Sequence, residues 1–281
     1  MREFDYYEAD DAEHAVTLAD ELDNAKFIAG GQSLVNIIKQ RMVEPDLDLI
    51  DIQGITALQT IEKKGDEIEI GALATHNELV HSPLLQRHVP ELPEVVSRIA
   101  DVQIRNMGTI GGNVAHADPA SDYPVFLSAI DAELEIRSTG GSRTVAATEF
   151  FEGYFTTDLD SGELISKITI PIPDDWTEYG FDKFAQRKGD FPLVNAASRL
   201  RFEDERCTDA MILVGCVQGT PISSGEGSSY LVSRFVGDID PEESGQRAAR
   251  EIEPDPNEKV DSQYQKDLVK AVVSNSIKSC L

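Results

Sequence analysis

Asn106-Met107-Gly108-Thr109-Ile110-Gly111-Gly112-Asn113 places three glycines within five residues and is soon followed by a polar turn, Ala117-Asp118-Pro119-Ala120-Ser121-Asp122. Glycine opens backbone N–H groups to a close ligand, and Thr109, Asn113, Ser121 and Asp122 add short side-chain donors and acceptors, a combination suited to wrapping a phosphate. A second glycine pair lies roughly eighty residues upstream, in Ala29-Gly30-Gly31-Gln32-Ser33-Leu34. Each segment opens toward a stretch of helical periodicity, and two such loops predict one long ligand gripped at both ends, a dinucleotide. Gly-Gly also marks ordinary turns, as at Gly140-Gly141, so the upstream pair taken alone is equally a turn.

The spacing excludes the common alternatives. Neither segment fits GxGxxG, which disfavours a Rossmann nicotinamide enzyme, and no GxxxxGK[ST] occurs. No GxSxG is present and no histidine stands beside a candidate nucleophile, so serine hydrolysis has no support. Among 281 residues, 51 are Asp or Glu and 25 are Lys or Arg, a net charge of −26. The acids are spread over the chain while hydrophobic residues make up 41 %, so they read as a solvated acidic surface, and the balance predicts a halophilic cytoplasm. No basic stripe exists for nucleic acid. The start Met1-Arg2-Glu3-Phe4-Asp5 lacks a leader's apolar region, and nowhere do about 18 apolar residues run together, so no membrane span is expected. Cys207, Cys216 and Cys280 have no CxxC spacing, and His14, His76, His81, His88 and His116 are scattered, so no metal site is expected and the histidines read as surface or packing residues.

Helical spacing follows Asp10-Asp11 through Ala12, Ala15, Val16, Ala19 and Leu22. Lys26 to Ala29 reads as a strand entering the first glycine loop, with a helix from Ser33, its possible cap. Leu47 to Ile52 reads as a strand, and Leu58 to Ile61 with Ile68 to Ile70 flanks the hairpin signal Lys63-Lys64-Gly65-Asp66. Thr75 and Glu78 form a capping box opening a helical region toward Ala100 that Pro83, Pro90 and Pro93 subdivide. Glu133 to Ala146 reads as a hairpin, Glu163 to Ile172 as a strand stopped by proline, and Pro173-Asp174-Asp175 as a boundary. Strands around 180–185, 194–202 and 210–218 follow, then helices near 242–252 and 263–279.

Ala29 to Leu34, Ile104 to Asn113 and Asp118 to Asp122 together resemble the FAD-binding medium subunit of molybdenum hydroxylases, above all the carbon monoxide dehydrogenase medium subunit, and more distantly the flavin domain of xanthine dehydrogenase. The likeness extends from Phe4-Asp5-Tyr6 to Tyr264-Gln265-Lys266. It implies an α+β fold: a two-lobed PCMH-type FAD-binding domain over 1–173, its lobes about 1–55 and 56–173, then a C-terminal antiparallel sheet with helices over 176–281, of the carbon monoxide dehydrogenase flavoprotein type. It implies that Ala29, Gly30, Gly31, Gln32, Ser33 and Leu34 hold the FAD pyrophosphate with Thr109, Ile110, Gly111, Gly112 and Asn113, that Ser121 and Asp122 serve the adenosine part, and that Ile99 and Ile165 flank the isoalloxazine with Lys183 nearby. Read from the residues alone, helix capping is the lesser alternative for Asp122, Ile99 and Ile165 read first as plain core, and Lys183 is equally a salt-bridge partner.

The resemblance further implies an electron relay in a hetero-oligomer, with molybdopterin and a [2Fe-2S] centre on a large and a small partner subunit, FAD on this chain, and a quinone or NAD as acceptor. No catalytic acid or base is expected here, and the setting is cytoplasmic, at the inner face of the membrane where the complex docks there. Many medium subunits of this type carry His where this chain has Gln32, and Asn-Asp-Met where it has Ser121-Asp122-Tyr123, which leaves the substrate open among carbon monoxide, a purine, nicotinate and an aromatic thioester. Two other readings stand beside the relay: a free-standing FAD oxidase or dehydrogenase, and an assembly subunit without flavin.

Overall fold

The computed structural model describes residues 4–42, 47–256 and 260–281. It begins with a three-stranded parallel sheet in the order Tyr6–Glu8, Asp48–Asp51, Ala25–Ile28. Asp11 caps the helix Ala12–Glu21 by accepting from the His14 N–H, and Ala12, Ala15 and Val16 of that helix cover Ile50 and Ile52. The other face, Ile28, Leu47 and Leu49, receives Leu34, Val35 and Ile38 from the helix Leu34–Lys39 and its surroundings. A parallel sheet covered on both faces leaves its ligand-facing loops at the carboxyl ends of its strands, and residues 29–33 leave from such an end. Ser33 occupies the N-cap position of its helix but makes no capping bond with its side chain.

The second sheet is antiparallel throughout, in the order Ile61–Lys64, Glu67–Gly71, Leu164–Pro171, Glu133–Ser138, Gly141–Ala146. Its central strand comes from far downstream and alternates Ile168 and Ile170 into the core. Leu58 lies in the short turn Thr56–Leu58 ahead of the first hairpin rather than in a strand. The capping box at Thr75 and Glu78 is present in both directions, and Pro83 opens the helix Pro83–His88 while Pro90 stands just before Glu91–Ser97. These helices pack on the sheet through Leu79, Leu85, Leu92, Val95 and Val96.

The third sheet, also antiparallel, runs Thr177–Ala185, Pro192–Glu203, Arg206–Gly215, Ile222–Ser223. On one face Val194, Ala196, Leu200 and Ile212 meet Val269, Val272, Val273 and Ile277 of the helix Ser262–Lys278, with Ala248 and Ala249 of Pro241–Glu251 closing the same core. On the opposite face Tyr179, Phe181, Ala197 and Leu213 join the core of the second sheet. Strand Pro192–Glu203 is therefore buried on both sides, which brings the third sheet against the helix Tyr123–Ala129. Among the described residues no helix is long and apolar enough to cross a membrane, and no group of three or more His, Cys, Asp or Glu is placed to hold a metal.

Candidate functional site

The two glycine segments meet. A Cβ built on Gly30 would stand 1.8 Å from the Met107 carbonyl oxygen and 2.9 Å from the Gly108 Cα, so only glycine lets the first loop lie on the second segment. Gly31 turns the chain in the left-handed region at φ +67°, where an L side chain is strained. Among the described residues, none of the N–H groups of residues 29–34 donates to a protein acceptor. A run of unspent N–H groups is what an anion-binding loop needs.

The second segment is built differently from the open loop its glycines predict. Thr109 is an N-cap in extended conformation, its Oγ1 accepting from the Gly112 N–H, and Ile110–His116 is a helix. The Ile110 N–H donates to the Ala74 carbonyl, Gly111 to Ala72 and Asn113 to Thr109, so of the five residues expected to supply N–H groups only Thr109 keeps its own unspent among the described residues. Gly111 serves close packing, since a Cβ there would come within 2.5 Å of the Ala72 Cβ and 2.7 Å of its carbonyl oxygen. Ile110 is fully buried in the core and does not face the ligand space. Asn113 accepts from the Ser121 hydroxyl at 2.5 Å, which turns its side chain against the polar turn.

These segments wall a cavity of about 1520 Å³, well above the roughly 300–1,000 Å³ that encloses a drug-sized ligand. Ala29, Gly30, Gly31, Gln32, Ser33, Leu34, Thr109, Gly111, Gly112 and Asn113 line it, as do Ile99, Ser121, Asp122, Ile165 and Lys183. Of the residues singled out from the sequence, Ile110 alone lies elsewhere.

Asp122 and Lys183 are partners of each other. Lys183 Nζ sits 2.5 Å from Asp122 Oδ2, with both side chains buried, and Asn195 Nδ2 donates to Asp122 Oδ1 at 3.0 Å. Asp122 stands at the N-cap position of Tyr123–Ala129 but its side chain makes no capping bond. Burial pushes its carboxyl above the ordinary value, against the pull of Lys183 and the Asn195 amide. The pair lies beside the turn that carries Ile99, because Arg98 Nη2 donates to the Lys183 carbonyl at 3.2 Å and to Asp182 Oδ1 at 3.1 Å.

Two residues gain roles here that their sequence context did not assign: His76 in the cavity wall, and Asn195 buried behind Asp122. His76 is buried behind Gly108, its Nδ1 2.9 Å from the Tyr123 hydroxyl, and burial with the nearby Arg105 charge pushes its pKa down to about 4, so the imidazole is neutral. Asn195 is fully buried in a strand. Its one legible signal is an amide within the otherwise apolar run Leu193 to Ala197, since a buried polar group requires a partner.

Residues 2–173 match the family of the FAD binding domain in molybdopterin dehydrogenase, and residues 179–279 match the carbon monoxide dehydrogenase flavoprotein C-terminal domain. The chain belongs to this family. It is 36 % identical over 280 residues to the 6-hydroxypseudooxynicotine dehydrogenase complex subunit alpha of Paenarthrobacter nicotinovorans, covering 99 % of this chain and 94 % of that one. It is also 36 % identical over 230 residues to the carbon monoxide dehydrogenase medium chain of Afipia carboxidovorans, covering 82 % and 80 %. The solved carbon monoxide dehydrogenase of Hydrogenophaga pseudoflava superposes with a TM-score of 0.92 at 30 % identity, over 100 % of this chain and 97 % of that chain. The family relationship makes the chain an oxidoreductase subunit of the molybdenum hydroxylase type, in agreement with the resemblance carried by the two glycine segments.

Proposed function

We propose that the cavity holds FAD and that this chain relays electrons within a heteromeric hydroxylase, from an iron–sulfur small subunit served by a molybdopterin large subunit to a quinone or NAD, in the cytoplasm. The observation that carries the reading is the run of unspent N–H groups at residues 29–34, pressed by glycine contact onto Met107 and Gly108 at the wall of a cavity of about 1520 Å³. When bound, FAD supplies the capacity to take up electrons singly and release them in pairs.

Within that reading, residues 29–34 take the pyrophosphate through backbone donors, and Thr109 with the Asn113 and Ser121 side chains completes the polar wall. Ile99 and Ile165 supply apolar faces for the ring. Because Asp122 and Lys183 are in contact, they cannot serve opposite ends of an extended FAD. We assign both to the ring end, where Arg98 links Lys183 to the Ile99 turn, in place of the adenosine role for Asp122. A free-standing oxidase would need a general base near the ring, and His76, its pKa lowered to about 4 so that it accepts a proton weakly and its Nδ1 engaged with the Tyr123 hydroxyl, is a poor one. The division into 1–173, with lobes 1–55 and 56–173, and 176–281 accords with the three larger sheets being built on separate stretches of chain.

The test is the Gly30→Ala variant beside the wild type. The purified wild-type chain should be yellow or take up FAD to one equivalent, and the variant, whose new methyl would overlap the Met107 carbonyl, should bind FAD at least tenfold more weakly. A wild-type chain that stays colourless after incubation with FAD refutes the binding. Reduction of its flavin by a small substrate with no partner subunit present refutes the relay.

A further inference from the structure

The chain leaves the helix Glu91–Ser97 at Arg98, turns at Ile99 and Ala100, and restarts at Asp101, whose side chain caps the short helix Val102–Arg105 by accepting from the Ile104 N–H at 2.9 Å. Ala100 sits in the left-handed region at φ +46°, a conformation that costs an L residue free energy and persists only where the surroundings impose it. The surroundings are specific. Arg105 Nη1 donates to the Ile99 carbonyl at 2.8 Å and to the Ala100 carbonyl at 2.9 Å. Successive carbonyls point to opposite sides of an extended chain, and here they converge on one nitrogen because of the turn at Ala100. Gly189 also lies against the same peptide, where a Cβ would stand 2.8 Å from the Ala100 oxygen. The Arg105 Nε–H is buried without an acceptor among the described residues. A guanidinium that forgoes one hydrogen bond while giving two to a strained turn is placed for that turn.

We propose that Arg105 is a positioning residue, its guanidinium holding the Ile99–Ala100 turn in the left-handed conformation that sets Ile99 in the cavity wall. Arg105 does not itself line the cavity, so it acts on the ligand through Ile99. The effect on FAD rests on the function proposed above; the clamp itself does not.

The experiment is a double-mutant cycle of Arg105→Met and Ala100→Gly in the full chain, because glycine adopts the left-handed turn without being held there. The FAD dissociation constant and the shape of the flavin visible band are measured for the four proteins. Urea unfolding is measured on the same four without added FAD. Arg105→Met weakens FAD binding and alters the band, and its effect on the dissociation constant shrinks by about threefold or more when Ala100→Gly is also present. A smaller change, including no effect of Arg105→Met at all, overturns the proposal. If the wild type takes up no FAD, the proposed function fails and the clamp is judged on unfolding: Arg105→Met must destabilise less alongside Ala100→Gly, and an equal loss overturns it. Should Arg105→Met not fold, Arg105→Lys takes its place in the cycle with the same criteria.

Discussion

Replacing Lys183 with methionine removes the cation from a buried ion pair and leaves the Asp122 carboxylate with the Asn195 amide as its remaining side-chain donor among the described residues. Only 5 % of the Lys183 side chain and 3 % of the Asp122 side chain reach solvent, so water cannot take over from the lost ammonium. Removing one partner from such a pair costs about 3–5 kcal/mol, which for a domain stable by about 5–15 kcal/mol is a large share. The cost depends on pH in a defined direction. Burial already raises the Asp122 pKa above 3.8, and losing Lys183 removes the chief opposing influence, so the folded carboxyl binds its proton at a higher pH than the unfolded one. The variant therefore recovers stability as pH falls through the folded value, and its deficit is greatest in mild alkali. Adding Asp122→Asn removes the stranded charge, and the double variant should lose only about 1–2 kcal/mol, the scale of the hydrogen bonds given up. Urea unfolding followed by circular dichroism at pH 5.5 and pH 8, at one fixed salt concentration, gives all the numbers. The reasoning fails if Lys183→Met at pH 8 lies within about 1 kcal/mol of the wild type, or if the double variant is no more stable than the single one.

His76 predicts a second acid effect: the folded imidazole titrates near 4 and the unfolded one near 6.5, so the unfolded chain binds more protons between those values and stability falls as pH drops through them, by about 3 kcal/mol in all. His76→Gln keeps a polar group for Tyr123 and does not titrate, so the variant's unfolding free energy should flatten over that range, and an unchanged slope would contradict the burial argument. The net charge of −26 predicts that the melting temperature rises steeply from low salt to molar KCl, where the Debye length shrinks to about 3 Å; a flat profile would remove the case for a salt-adapted surface.

Much of the architecture was legible because its signals are local. The Thr75–Glu78 capping box, the Gly65-Asp66 turn between Ile61–Lys64 and Glu67–Gly71, and the two closing helices each depend on residues a few positions apart, and each stands where patterning places it. The glycine segments were legible as a pair and misleading in detail. Three glycines near Thr109 read as an open phosphate loop, yet Gly111 is there because Ala72 lies against it, and the helix N–H groups are spent on Ala74, Ala72 and Thr109. No spacing within residues 106–113 announces a contact with residue 72.

The line between the two kinds of knowledge runs through Asp122 and Lys183. Composition, motif order and periodicity yield an acidic chain with two glycine segments, a series of helices and strands, and the expectation of a dinucleotide-sized ligand, since propensity, capping and turn chemistry act over a few residues; the α+β fold is implied by the family resemblance of those segments. That Asp122 and Lys183, 61 positions apart, neutralise each other in the same wall is settled only when the third sheet packs its Tyr179 and Phe181 face onto the core of the second. Burial gives that pairing its energy, and burial belongs to the assembled fold.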